Sequence, residues 1–120
     1  MNKDYKVPSE LLFILNQLFE IEKKAKKLQE PNSIQRNIDK LKEHFEKNIY
    51  DDGAGLIYYN PLGEPYNITR TDCDASIAGT STENLIITEV IKPIIRIKKN
   101  NKTSIVQRAV VIVETKKMEN

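Results

Sequence analysis

The sequence predicts an α+β fold: an N-terminal helical hairpin forming a dimeric four-helix bundle, then a small, mostly antiparallel β-domain. Three observations predict it. Apolar residues recur at helical spacing as far as Lys47 and at strand spacing afterwards, so all helices precede all strands. Pro31 interrupts the helical part. The stretch Ser9 to Ile21 carries more apolar bulk than one short chain is expected to cover. The expected division is residues 1–50 for the dimerisation bundle and 51–120 for the β-domain.

The first helix is expected from Ser9 to Gln29, with Pro8 and Ser9 as its start. Leu11, Ile14, Leu18, Ile21, Ala25 and Leu28 keep the 3-4-3-4-3 spacing of a helix packed on other helices. Leu12, Leu15 and Phe19 form a second stripe beside it. The expected dimer interface is therefore Leu11, Ile14, Leu15, Leu18, Phe19 and Ile21. Glu20 with Lys24, and Glu22 with Lys26, stand four apart in the favourable order. Lys23, Lys24, Lys26 and Lys27 read as a solvated helix face suited to the negative end of the dipole. A phosphate-binding patch is the weaker reading, since no aromatic residue is interleaved.

Glu30-Pro31-Asn32-Ser33 forms the loop, and Ser33 or Asn32 caps a second helix over Ser33 to Lys47. Its apolar face is Ile34, Ile38, Leu41 and Phe45, opposite Arg36, Asp39, Lys40, Glu43 and Lys47. His44 is expected at the surface. Asp51 to Gly55 is a break; its lone G-x-G follows a helix and precedes a strand, the reverse of the dinucleotide-binding order. Strands are expected at Leu56–Tyr59, Ile68–Ile77, Leu85–Ile91, Ile94–Lys98 and Thr103–Val113, the last one central. Residues 98–102 read as a hairpin tip.

Composition bounds the function. With 39% hydrophobic and 30% charged residues, 7% aromatics and no Trp, the 120 residues suit a soluble protein with a modest core. A net charge of +2 forces neither a nucleic-acid nor a membrane partner. Cys73 is the single cysteine and His44 the single histidine, so an internal disulfide and a Cys/His zinc site are both excluded. This fits a cytoplasmic protein, and no run is apolar and long enough for a membrane span. Asp72 and Asp74 share an expected strand face with Arg70, a geometry that could hold a metal or run acid–base chemistry. Neutralisation by Arg70 makes a structural charge ladder the stronger reading, and Cys73 reads as a small core residue. The expectation is no enzyme, no catalytic residue, no metal and no cofactor.

The order of motifs resembles the GrpE family, nucleotide exchange factors of DnaK-type chaperones. Glu10–Lys23 is similar to the family's bundle-opening E-L-L run. Leu56–Asn67 (LIYYNPLGEPYN) resembles the approach to its β-domain, and Cys73-Asp74-Ala75 stands at its His-Glu-Ala position. Glu89–Ile97 sits where the family has an E-V-L-Q-P-G-Y-x-L-like stretch, and Gln107–Val113 resembles its closing strand. Several positions differ. Ile94 and Ile95 replace a Gly and an aromatic, Cys73 replaces a His, and Arg108 stands one place late. Most of the family's long rod helix is absent from this chain, which implies a trimmed or a short divergent relative.

The resemblance implies a homodimeric co-chaperone whose β-domain wedges between the chaperone's nucleotide-binding lobes. It implies that Leu62, Pro65, Ile91 and Lys92 face the chaperone. Strand core for Ile91, and loop scaffolding for Leu62 and Pro65, are equal alternatives. A dimeric scaffold bound to another ATPase or large assembly is the rival reading.

Overall fold

The computed structural model describes residues 6–28 and 33–116. These form two helices, α1 (Ser9–Lys26) and α2 (Ile34–Lys47), and then seven strands. The strands are β1 (Gly55–Tyr59), β2 (Pro65–Tyr66), β3 (Cys73–Ile77), β4 (Leu85–Lys92), β5 (Ile94–Lys99), β6 (Lys102–Gln107) and β7 (Ala109–Thr115). They build two sheets, one ordered β1-β5-β6 and one ordered β2-β4-β7-β3. All pairings are antiparallel except β3 with β7, which run parallel.

Pro93 and Arg108 are the hinges of this arrangement. Pro93, lacking an N–H for a ladder, separates β4 in one sheet from β5 in the other. Arg108 stands between β6 and β7, so the long strand expected at Thr103–Val113 is two strands in two sheets. β7 is central, as expected. Gln107 ties the crossing to α1: its amide exchanges two 2.9 Å hydrogen bonds with Asn16 and donates a third, 3.0 Å, to the Pro93 carbonyl. The hairpin tip is a two-residue turn with Asn100 and Asn101 at φ 54° and 67°, the left-handed conformation such turns require.

The expected four-helix bundle is not what the helices form, and the general α+β class is all that stands of that expectation. α1 lies against its own chain's strands. Phe19 sits among Cys73, Ile87, Val90, Ile94, Val111 and their neighbours of the larger sheet. Leu15, one turn earlier, sits in a second cluster with Phe45, Ala54, Leu56, Ile95 and Ile97. Tyr58 touches both clusters and meets Phe19 edge-to-face, with ring centroids 6.0 Å apart. One further helix would leave the bulk of α1 uncovered; strands of both sheets cover it. Leu15, Leu18 and Phe19 are buried within one chain, and Leu11 packs on the second cluster. Ile14 and Ile21 stay exposed.

Other differences are local. Ser9 is the first helical residue, and Pro8 takes the cap position, its carbonyl accepting from Leu11 N–H at 3.0 Å. Gln29 and the loop residues Glu30 to Asn32 lie outside the described residues. Glu20 pairs with Lys23 at 3.1 Å instead of Lys24. Glu22 turns inward to accept from Tyr58 Oη at 2.7 Å and from Gln35 at 2.9 Å, with Lys42 at 3.5 Å. Burial pushes the Glu22 carboxyl up, but those hydrogen bonds and the Lys42 charge outweigh it and hold it below its ordinary value. Burial first, then the bond to Glu22, raises the Tyr58 hydroxyl far above the usual tyrosine range. This polar knot joins α1, α2 and β1 inside an otherwise apolar contact.

Candidate functional site

An open groove of about 540 Å³ runs between the C-terminal half of α1 and β4. Lys23, Lys26 and Lys27 of α1 form one wall, with Glu20 beside them. Thr88 to Ile91 of β4 form the floor, and Asn60 and Leu62 of the β1–β2 loop close the other side. The sequence puts these residues together for simple reasons. Asn60 Oδ1 accepts from Leu62 N–H at 3.1 Å, turning the loop at Pro61, which is buried. Gly63, at φ 84°, then donates to Ile87 O at 2.8 Å, which fastens the loop to β4. Leu62 is left 55% exposed and Ile91 47% exposed, so neither is core.

Of the four residues expected to face a partner, Leu62 and Ile91 line the groove. Pro65, in β2 opposite Ile86, and Lys92, at the end of β4, are exposed beyond its lining. Lys23, Lys26 and Lys27 of the wall belong to the basic cluster for which the sequence favours a solvated helix face over a phosphate-binding patch. Only the lie of β4 alongside α1 makes those lysines one wall of a groove. Lys23 is engaged three ways: with Glu20, with the Val90 carbonyl at 3.2 Å, and over the Phe19 ring at 4.7 Å. Lys26 and Lys27 make no salt bridge among the described residues.

The acidic pair is separated by the structure. Only Cys73–Ile77 of the expected Ile68–Ile77 strand is strand; Asn67 accepts from Thr69 N–H at 2.9 Å and turns the chain ahead of it. Asp72 therefore lies in a corner with Arg70, 2.6 Å from its Nε, and with Arg96 at 3.4 Å. Arg70 also holds Glu64 at 2.8 Å and the Pro65 carbonyl at 3.0 Å, and Tyr59 donates to Glu64. Asp74 pairs instead with Arg108 at 2.9 Å. Among the described residues no group of three or more His, Cys, Asp or Glu is placed to hold a metal. Cys73 is buried, and burial, with the Asp72 carboxylate beside it, pushes its thiol up to about 11, so it is a thiol and not a thiolate at neutral pH. His44 is exposed on α2.

The corner gives a pH prediction. The Arg70 hydrogen bond holds the Asp72 carboxyl below its ordinary value, against burial. Glu64 is also held low: burial raises it, but the bonds from Tyr59 and Arg70 outweigh that. A carboxyl lowered on folding binds fewer protons folded than unfolded. Its stabilisation is full above the ordinary value near about 4 and is lost as pH falls through the folded value. Urea unfolding from pH 7 downward should show a plateau, then a decline starting near about pH 4–5. Asp72→Asn should lose about 1–2 kcal/mol at pH 7 and flatten the decline. An unchanged decline in Asp72→Asn would place its origin elsewhere.

No protein-family model matches this chain, nor does any curated protein or solved structure. No helix among the described residues is long and apolar enough to cross a membrane.

Proposed function

We propose that this chain is a GrpE-like co-chaperone, a nucleotide exchange factor for a DnaK-type chaperone. It binds the open arrangement of the nucleotide-binding lobes more tightly than the closed one, its strand-rich part wedging between them so that ADP leaves. Factor and nucleotide then weaken each other's binding by the same ratio. The action is mechanical and takes no catalytic residue, metal or cofactor from this chain.

The observation that carries this reading is the convergence of Leu62 and Ile91. They are assigned to the partner by resemblance alone, stand far apart in sequence, and are both exposed on one groove. The departures from the family are compatible with it. Ile94, Ile95 and Cys73 belong to the two core clusters and do not line the groove. The test is stopped-flow release of a fluorescent ADP analogue from a DnaK-type chaperone. Micromolar native protein should accelerate release, and the Leu62→Asp, Ile91→Asp double variant should lose at least about tenfold of that effect. No acceleration by native protein would overturn the exchange reading and leave a scaffold for another ATPase.

The reading includes a homodimer. Ile14 and Ile21 stand seven residues apart on α1, with Leu28 seven further on just beyond its end, and the three are 46%, 49% and 54% exposed. Leu41 on α2 is 49% exposed. A second copy is the partner that would cover this face. Ile14→Asp should give a folded monomer by light scattering, since its new charge is not buried within the protomer; an unchanged dimer would move the interface elsewhere.

A further inference from the structure

We propose that the outer edge of β4, from Thr88 to Ile91, receives an extended acidic peptide segment of a partner protein, which adds to the sheet as a short strand. This rests on reading the groove as a partner surface, but it does not depend on nucleotide exchange.

The edge is open for a specific reason. On its inner side β4 is paired with β7 between Leu85 and Lys92, with register shifts at Thr88 and Ile91 that leave Glu89 and Val90 as the regularly paired residues of this stretch. On its outer side β2 covers only Leu85 and Ile86, and the turn at Gly63 and Glu64 closes the ladder at Ile87, whose N–H donates to Glu64 O at 2.9 Å. Beyond Ile87 no strand of the described residues lies outside β4. The Lys23 ammonium reaches the Val90 carbonyl there, at 3.2 Å. An open edge is a template for another strand, and natural proteins guard such edges with lysine. A lysine guard on a bare edge would be protection alone. Here the edge is the floor of a groove that also presents Leu62 and Ile91, apolar contacts of the kind an added strand uses.

Charge decides the class of segment. Lys23, Lys26 and Lys27 line the α1 wall above the edge; Glu20 on that wall pairs with Lys23 and Glu89 lies on the floor, so the positive charge left for a ligand is that of Lys26 and Lys27, which make no salt bridge among the described residues. An incoming strand offers its own N–H to the Val90 carbonyl in place of the Lys23 ammonium, which keeps its pair with Glu20, while carboxylates of the segment meet Lys26 and Lys27. Side chains of a strand alternate between faces. Acidic residues at every second position would therefore face the lysines while apolar ones meet Leu62 and Ile91.

The probe is a capped hexapeptide of alternating glutamate and valine, titrated to about 1 mM into the isotope-labelled full chain and followed by amide NMR. Saturable shifts should appear at Thr88 to Ile91 and at Asn60 to Leu62. The same peptide with alternate amides N-methylated, which cannot form the ladder, should bind at least about fivefold more weakly. The Lys26→Glu, Lys27→Glu double variant should weaken binding to a similar degree. Absent shifts, shifts elsewhere, or indifference to N-methylation would overturn the inference. If the peptide binds as described while ADP release is not accelerated, exchange fails alone. If release is accelerated and falls in the Leu62→Asp, Ile91→Asp variant while the peptide leaves β4 unperturbed, strand addition fails alone.

Discussion

Phe19→Ala should cost about 3–5 kcal/mol of folding stability, whereas Phe13→Ala, on the same helix, should stay within about 0.5 kcal/mol. Phe19 is 1% exposed and Phe13 64% exposed, although the two are equally apolar and lie six residues apart. Phe19 projects into the cluster built by β3, β4, β5 and β7, so its removal leaves a void among Cys73, Ile87, Val90 and Val111 that those strands cannot close. It also removes the ring against which Tyr58 packs edge-on and over which Lys23 lies. A domain of this size has about 5–15 kcal/mol in total, so the variant should stand close to unfolding. Urea titrations of both variants, compared at equal protein concentration, measure it. If the two variants lost similar stability, α1 would not be docked on its own sheets.

That contrast also marks where the sequence could and could not be read. The periodicity of Leu11, Leu15, Leu18 and Phe19 locates α1, because apolar spacing follows helical geometry whatever the helix packs on. It does not say what covers the stripe. A seam of this spacing suits a helical neighbour and a sheet equally, and the choice depends on where β4, β5 and β7 lie, which is a non-local fact. Strand existence was legible at Leu56–Tyr59, Leu85–Ile91 and Ile94–Lys98, where β-branched residues are bounded by Pro93 or by turn residues. The split at Arg108 was not, since Arg108 interrupts the alternation no more than any polar residue does. The alternation of Ile68–Ile77 overreached because Asn67 offers a local turn that captures the backbone first.

The groove was legible in part. The loop residue Leu62 and the strand residue Ile91 were named through resemblance, while nothing in the sequence joined them to each other or to the lysines of α1. The lysines carry no aromatic interleaving and no motif, so only the three-dimensional neighbourhood distinguishes Lys26 and Lys27 from a solvated face. Likewise the sequence shows of Glu22 only that it stands four residues before Lys26, in the favourable order for a helical pair. Its inward turn is decided by Tyr58, a residue of β1.

Gly55→Ala should destabilise the fold by more than about 3 kcal/mol, beyond the usual range for overpacking. Gly55 opens β1 opposite Lys98, and a Cβ built there would lie 1.8 Å from the backbone carbonyl oxygen of Glu46. The obstacle is the last turn of α2, which no rotamer change can move aside. The surrounding contacts hold it in place: Phe45 is buried under the second cluster, and Glu46 is paired with Lys98 at 3.2 Å. Gly53, two residues earlier, isolates the other cost a glycine can hide. It has φ 84° with open space around its Cβ position, so Gly53→Ala meets only backbone strain, about 1–2 kcal/mol. Thermal melts should therefore rank the two unequally, with Gly55→Ala at least about 10 °C below the native protein and Gly53→Ala between them. The adjacency of α2 and β1 requires that order: relieving the clash means lifting α2, which uncovers Phe45 and Leu56 and loosens the seat of Leu15. A Gly55→Ala protein melting within a few degrees of native would mean that α2 does not rest on β1 at that point.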